Sequence, residues 1–403
     1  MHIVFLVNIF PARDGQSTGG SGNYVANIAE EFAKNGHKVS VVTEAKECVH
    51  FKWHGIDVYK INATRGFKNT LRPMGAFSKF IKNIERSFFY NLEVWKIHRQ
   101  YRVDIVQSVN TYGLALLRLK SIPYVVRVSD HPPLWSGANK EKYDFASCMK
   151  TKRIDEEIQF AALKKADAII TPSNLMNKLV KYKTGRTAYT VESPVCVENY
   201  GTLELQEPEL TKDKYWVTYS AMIYRKSILM LSELIDTLLD EYPDMKYVMI
   251  GRDREVYYQK SFVMASNMFY QNIRENRDRF VFMGEISDRK RLFSIIKNAR
   301  TCILPTRMDN LPNTVLEAMA LGKIVISSDK TSVEQLITDS YNGFLTEVDN
   351  TEKLHEKIQH VMLMPEQERK KMEEMAQERV NELTPRNVYE QLMEIYKKVK
   401  SGQ

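Results

Sequence analysis

Pro305-Thr306-Arg307-Met308-Asp309-Asn310-Leu311-Pro312-Asn313-Thr314-Val315-Leu316-Glu317-Ala318-Met319-Ala320-Leu321-Gly322 lies between two short apolar runs, 301–304 and 323–327. Each run reads as a buried strand. Asn310 is placed to cap a helix whose first turn holds Pro312, a position that tolerates a residue without an N–H. Leu316, Met319 and Ala320 recur at helical spacing, and Gly322 suits the left-handed residue that closes a helix. The stretch is therefore strand, loop, helix, strand. A helix start beyond a strand's carboxyl end aims backbone N–H groups at an anion such as a phosphate or diphosphate. Asp309 stands before the helix and Glu317 on its second turn, so both can face one ligand. A lone carboxylate at a helix start equally serves the helix dipole.

The 403 residues suffice for two domains with separate cores, and 43% hydrophobic with 27% charged residues excludes a disordered chain. A net charge of +8 points to an acidic partner. Cys48, Cys148, Cys196 and Cys302 are scattered, without zinc or redox spacing. The opening residues 1–8 are too short and lack the basic flank of a signal peptide. No run approaches the roughly 20 apolar residues that span a bilayer. The expected location is the cytosol, with peripheral attachment to the inner face of a membrane suggested by charge.

Residues 3–7 form a continuous apolar run, as a parallel strand covered on both faces does. A glycine-rich loop, 14–22, leads into a helical stripe of Val25, Ile28, Ala29, Phe32 and Ala33 that stops at Asn35-Gly36. Val39, Val41 and Val42 supply the next strand, which makes a βαβ unit opening a doubly wound sheet. Gly20-Ser21-Gly22 lacks the third glycine of a dinucleotide fingerprint, Val25 standing in its place, so NAD binding is not expected.

Between 60 and 102, Lys60, Arg65, Lys68, Arg72, Lys79, Lys82, Arg86, Lys96, Arg99 and Arg102 face only Glu85 and Glu93. Phe77, Phe80, Ile81, Ile84 and Phe88 make an apolar stripe among these cations. The stretch is either a helix with a solvated basic face or a site for an acceptor or an anionic membrane surface. No nucleic-acid module accompanies the charge, so nucleic acid is not the expected partner. Strands at 103–107 and 123–128 follow. The second ends at Ser129-Asp130-His131, where open α/β sheets bind ligands.

The acid at 309, seven intervening residues and Glu-Ala-Met-Ala-Leu-Gly resemble the E-x7-E signature of the retaining nucleotide-sugar glycosyltransferases of family 4, also called glycosyl transferases group 1. The segments 34–43, 166–173, 191–199, 220–227 and 339–345 resemble the same family, so the likeness runs along nearly the whole chain. It implies an α/β GT-B fold, two Rossmann-like doubly wound domains facing each other across a cleft. The implied boundaries are an amino-terminal acceptor domain at 1–198, a linker at 199–214 and a donor domain at 215–385. The last helix, about 386–403, would pack back on the first domain.

The resemblance also assigns roles. Asp309 would contact the donor sugar, Glu317 the ribose, and the backbone of Asn313, Thr314 and Val315 the diphosphate, with Asn310 and Leu311 also in the donor site. Lys226, with Arg225 beside it, would neutralise the diphosphate. Gly19 and Gly20 would let backbone approach the donor phosphate, and Gly284 would border the nucleobase. Ser129 aligns with a family histidine next to the sugar, while the imidazole here is His131. Ser129, Asp130 and His131 are therefore candidates for sugar or acceptor contact, a structural histidine being the alternative. No metal or other cofactor is expected, because no Asp-x-Asp motif occurs and the nucleotide-sugar is itself a substrate. The family pattern is departed from at Asp309 (usually Glu), at Ala221 (usually Arg) and at Lys330-Thr331-Ser332 (commonly Gly-Gly). The expected function is metal-independent, retaining transfer from a UDP- or GDP-sugar to a glycan, lipid-linked or small-molecule acceptor. A sugar-nucleotide epimerase or phosphorylase, or a silent nucleotide-sugar-binding subunit, is the alternative.

Overall fold

The computed structural model describes residues 1–10, 19–64, 75–151, 153–195 and 203–402. Positions 14–18 of the glycine-rich loop, Arg65, Lys68, Arg72, Cys196 and positions 197–202 of the expected crossing and linker lie outside them. The chain forms two compact units. The first comprises Met1–Pro132, Met149–Pro194 and Leu383–Gln403; the second comprises Pro133–Cys148 and Val195–Glu382.

Among the described residues, the first unit holds eight strands: β1 (His2–Val7), β2 (Lys38–Glu44), β3 (Val49–Trp53), β4 (Ile56–Ile61), β5 (Ile105–Val109), β6 (Tyr124–Arg127), β7 (Ala168–Thr171) and β8 (Tyr189–Thr190). Their order is β3-β4-β2-β1-β5-β6-β7-β8. The pairs are parallel except β3 with β4. Every residue of β1 and β5 is buried, and β1 reads as an unbroken apolar run from Ile3 to Val7 while β5 also buries Gln107 and Ser108. Ile3 lies between Val39 and Ile105, so the strand order reverses direction between β1 and β5. The β3–β4 hairpin has no counterpart in the sequence reading. Its turn is His54-Gly55, with both residues at positive φ. The last helix, Pro385–Ser401, belongs to this unit. Tyr396 stacks on Phe32 with centroids 5.6 Å apart, its hydroxyl donates to Gln107 at 2.5 Å, and Lys400 pairs with Asp104 at 2.6 Å.

The second unit holds β9 (Tyr215–Tyr219), β10 (Lys246–Ile250), β11 (Glu255–Tyr258), β12 (Ser261–Met264), β13 (Phe280–Gly284), β14 (Thr301–Ile303), β15 (Val325–Ser328) and β16 (Phe344–Thr346). Six of them form a sheet in the order β13-β10-β9-β14-β15-β16, while β11 and β12 make a separate hairpin. Trp216, Tyr247, Phe269, Phe280 and Phe344 lie at the centre of its core. The residues 133–148, which the sequence reading kept within 1–198, count with this unit instead. Leu134, Gly137 and Ala138 are buried there, and Trp135 and Asn139 hold Arg225, as described next.

Candidate active site

In the second unit the strand order reverses between β9 and β14. The carboxyl ends of such a pair flank the crevice where open α/β sheets take ligands. The loop after β9 carries Arg225 and Lys226 on a single 3-10 turn, Tyr224–Lys226, closed by Ser227 at φ 49°. The loop after β14 carries Asp309. Lys226 Nζ donates to Asp309 Oδ2 at 2.6 Å, and Arg225 Nη1 donates to the same oxygen at 3.3 Å. The other carboxylate oxygen accepts the Asn310 N–H at 2.8 Å. Ser332, which the sequence reading did not assign to the site, fixes the same residue from behind: its hydroxyl donates to the Asp309 carbonyl at 2.8 Å.

Arg225 is held on every side. Its guanidinium lies 4.7 Å from the Trp135 ring centroid. Its N–H donates to Asn139 Oδ1 at 3.1 Å, and its carbonyl accepts from the Arg307 amide at 2.9 Å and the Thr306 hydroxyl at 3.1 Å.

The helix after this loop runs Asn313–Ala320 with Pro312 as its N-cap. This corrects the expected cap at Asn310. A residue preceding proline is pushed out of helical backbone, so Leu311 cannot belong to the first turn. No side chain caps the helix. The Val315 and Leu316 amides donate to the Pro312 carbonyl at 3.1 and 3.2 Å, which leaves Asn313 and Thr314 as the amides heading the helix. The Val315 amide, expected at the diphosphate, is thus engaged within the turn. The Leu311 side chain is buried, and the Thr314 carbonyl accepts from the Tyr219 hydroxyl.

On the second turn Glu317 accepts from Arg289 Nη2 at 2.9 Å. Arg289 opens the helix Arg289–Asn298, whose cap Asp288 accepts from the Lys290 and Arg291 amides; nothing in the sequence reading pointed to it. Gly284 ends β13 at φ 66°, and its carbonyl accepts the Gly251 amide at 2.8 Å. A Cβ on Gly251 would stand 1.8 Å from the Ser220 carbonyl oxygen, so only glycine lets this turn meet the loop after β9.

Burial acts against each carboxyl of the site, with opposite outcomes. Asp309 is pushed up by burial, but the charges of Lys226 and Arg225 and the bonds from Lys226 and Asn310 outweigh that and hold it below its ordinary value. Glu317 ends above its ordinary value, because burial exceeds what Arg289 offsets. Burial draws the Lys226 ammonium down while the Asp309 charge opposes the shift.

In the first unit Gly19 and Gly20 form the first turn of the helix Gly19–Lys34, not a loop. A Cβ at Gly20 would meet no atom within 4 Å. The amide of Ser129 donates to Asn110 Oδ1 at 3.0 Å, and the Asp130 carbonyl accepts from Asn110 Nδ2 at 2.7 Å. His131 is only 2% exposed. Its Nε2 lies 3.9 Å from Glu156, and burial followed by the charge of Lys183 lowers its pKa to about 4. The imidazole is neutral at pH 7.

A second cluster stands at the carboxyl ends of β2, β1 and β5, again where the strand order reverses. Arg86 Nε donates to Glu44 Oε2 at 3.0 Å, and its guanidinium lies 4.0 Å from the Tyr112 ring centroid. Tyr90 donates to the Val7 carbonyl at 3.0 Å. Tyr112 is held at φ 64°, a conformation uncommon outside glycine. Spacing alone puts Arg86 in a basic stretch suited to an acceptor or a membrane surface, but not beside Glu44 and Tyr112, because these partners are distant in sequence and only the sheet order joins them.

Residues 18–188 match the model of Glycosyltransferase Family 4, and residues 203–379 match that of Glycosyl transferases group 1. A Haemophilus influenzae protein described as an uncharacterized glycosyltransferase is 21% identical over 355 residues, 87% of this chain and 88% of its own. The N,N'-diacetylbacillosaminyl-diphospho-undecaprenol alpha-1,3-N-acetylgalactosaminyltransferase of Campylobacter jejuni is 31% identical over 77 residues, 19% of this chain and 20% of its own. Sucrose-phosphate synthase from Thermosynechococcus elongatus has the same fold, with a TM-score of 0.73 over 100% of both chains at 16% identity. That fold is GT-B, with two Rossmann-like domains. One family model lies on each half of a chain with this architecture, and the chain belongs to the glycosyltransferases of group 1 and family 4.

Proposed function

We propose that the chain moves a sugar from a UDP- or GDP-sugar to a glycan, lipid-linked or small-molecule acceptor, with retention at the anomeric carbon and without a divalent ion. The observation that carries this reading is the convergence of Lys226 and Arg225 on Asp309, at the point where the second sheet reverses. A leaving diphosphate needs fixed positive charge. Two cations and the amides of an uncapped helix start supply it without reorganising during the reaction. Glu317 is suited to the ribose hydroxyls and Asp309 to the sugar hydroxyls.

Asp309 is tied to two cations and an amide, an arrangement that orients a sugar and does not free a nucleophile of the kind retaining hydrolases use. The bond from the anomeric carbon to the diphosphate breaks as the acceptor oxygen bonds the same face. The acceptor's proton passes to the departing phosphate oxygen. The acceptor belongs at the other reversal point, where Glu44, Arg86 and Tyr112 offer a carboxylate, a guanidinium and a phenol to hydroxyl groups. The acceptor named for the Campylobacter relative is linked to undecaprenol through a diphosphate. A lipid-linked acceptor would be met at a membrane surface, for which the basic 60–102 stretch is the suited part of the chain.

The test is the anomeric configuration of the product, read by proton NMR after reaction with an α-linked nucleotide-sugar in EDTA. An α-linked product is expected. A β-linked product, or activity that returns only with added magnesium or manganese, would overturn the mechanism.

A further inference from the structure

The helix Gly75–Tyr101 buries Tyr90, Val94 and Ile97 together with five polar residues, and leaves three of its aromatics exposed. Ser78, Asn83, Glu85, Ser87 and Asn91 are all under a tenth exposed, whereas Phe77, Phe88 and Trp95 are 46%, 52% and 42% exposed. The inward placement of the polar residues is enforced by hydrogen bonds. Ser87 and Asn91 donate to the Leu114 carbonyl at 2.9 and 2.8 Å, the Leu117 amide donates to Ser87 at 3.0 Å, and the Tyr124 hydroxyl donates to Asn91. Rotating the helix to hide the aromatics would strand these groups, so its register is fixed. With Ile81, Ile84 and Leu92, which are half-buried, the outward aromatics recur every three or four residues along a helix roughly 40 Å long. A stripe of that kind on a soluble surface marks an interaction site.

We infer that this stripe lies flat on an anionic lipid surface, with Phe77, Phe88 and Trp95 at the acyl boundary. Charge selects the occupant. Lys79, Lys96, Arg99 and Arg102 are exposed on the same helix and its end, and Arg99 lies 5.0 Å over the Trp95 ring. The acid nearest the stripe, Glu93, is paired with Lys96 at 2.8 Å. A helix with aromatics on its outward face and lysine or arginine beside them binds at the headgroup boundary of anionic bilayers. Next to the stripe, a groove of about 280 Å³ between this helix and the β3–β4 edge is lined by Tyr59, Lys60, Leu92, Glu93 and Lys96; it sets the Lys60 ammonium beside the Glu93–Lys96 pair, where a lipid phosphate can meet it. This inference deepens the proposed function by naming the surface at which a lipid-linked acceptor would be met, and it is tested without any turnover.

The experiment is co-sedimentation of the full chain with vesicles of equal parts phosphatidylglycerol and phosphatidylcholine, against vesicles of phosphatidylcholine alone. Binding to the anionic vesicles is expected, weakened at least about tenfold by Phe88→Ser with Trp95→Ser. These side chains are exposed, so an unchanged melting temperature will show that folding is intact. Trp95 emission should shift to the blue on anionic vesicles, a shift that Trp95→Phe removes from the spectrum. Equal binding by the double variant, or no binding by the natural chain, would overturn the inference. So would a dimer in solution that the double variant converts to monomer, since the stripe would then be covered by a second copy. Loss of sugar transfer with vesicle binding intact would count against the proposed function alone.

Discussion

Lys226 Nζ stands 2.6 Å from Asp309 Oδ2, although the two residues lie on loops 83 positions apart in the chain. Each loop leaves the carboxyl end of one of the two strands between which the second sheet reverses, so the topology brings a cation and a carboxylate together where a ligand belongs. Removing the cation should cost more than charge. Lys226→Ala leaves Asp309 buried with a weaker partner, Arg225, and should destabilise the protein by about 3 kcal/mol. It should also lower kcat by roughly a hundred- to a thousandfold. Steady-state kinetics at a temperature where the variant is folded will check this; an unchanged kcat would remove Lys226 from the mechanism.

Glu317 should show its role in the donor KM. Losing hydrogen bonds from a charged group to the ribose raises KM by roughly ten- to a hundredfold in Glu317→Ala. Burial holds this carboxyl above its ordinary value of 4.5, so the folded group takes up a proton before an exposed glutamate would. Donor KM should therefore begin to rise at a pH above 4.5 as the solution is acidified. Arg289→Met removes the opposing charge and should move that limb to higher pH, while Glu317→Gln should flatten it. A limb at the same pH in all three proteins would contradict the assignment.

His131 makes a prediction about stability. Its pKa is lowered to about 4 in the folded protein against 6.5 ordinarily, by burial and by Lys183. Between these values the unfolded chain binds the extra proton, so stability falls as pH drops through that window, by at most about 1.4 kcal/mol per pH unit from this group. Urea denaturation at pH 7, 6 and 5 should show this slope reduced in His131→Asn.

The acceptor assignment is tested at Tyr112 and Arg86. Tyr112→Asn keeps a residue that tolerates left-handed backbone while removing the ring. It should raise acceptor KM by roughly tenfold, leaving donor KM within about twofold of the natural chain. Arg86→Gln should behave alike. Donor KM rising in step with acceptor KM would place both residues elsewhere than the acceptor site.

Much of this arrangement was legible because parallel strands are buried on both faces and therefore read as plain apolar runs. The segments around Ile3, Val217 and Ile326 are of that kind, and the helix between Asn313 and Ala320 carried its own spacing. The cap was misplaced because Asn310 is a strong capping type, yet the backbone constraint of Pro312 outranks it. The β11–β12 hairpin was missed because its turn uses Gln259-Lys260 at positive φ, and β3–β4 because His54 precedes Gly55 in its turn, where asparagine, aspartate or glycine is the usual signal. The pairing of Arg289 with Glu317, and of Arg86 with Glu44, depends on which helix follows which strand across the sheet. The stripe of the Gly75–Tyr101 helix was visible in its spacing. Which side faced the core was not, since that depends on bonds from Ser87 and Asn91 to a segment more than twenty residues away.

The most direct measurement is release of UDP or GDP from a panel of nucleotide-sugars in EDTA, for the natural chain, Lys226→Ala and Asp309→Ala. One donor should be turned over by the natural chain, slowly alone and faster with its acceptor, with at least about a hundredfold loss in each variant. Release from no donor, or equal release by all three proteins, would contradict sugar transfer at the Lys226–Asp309 site.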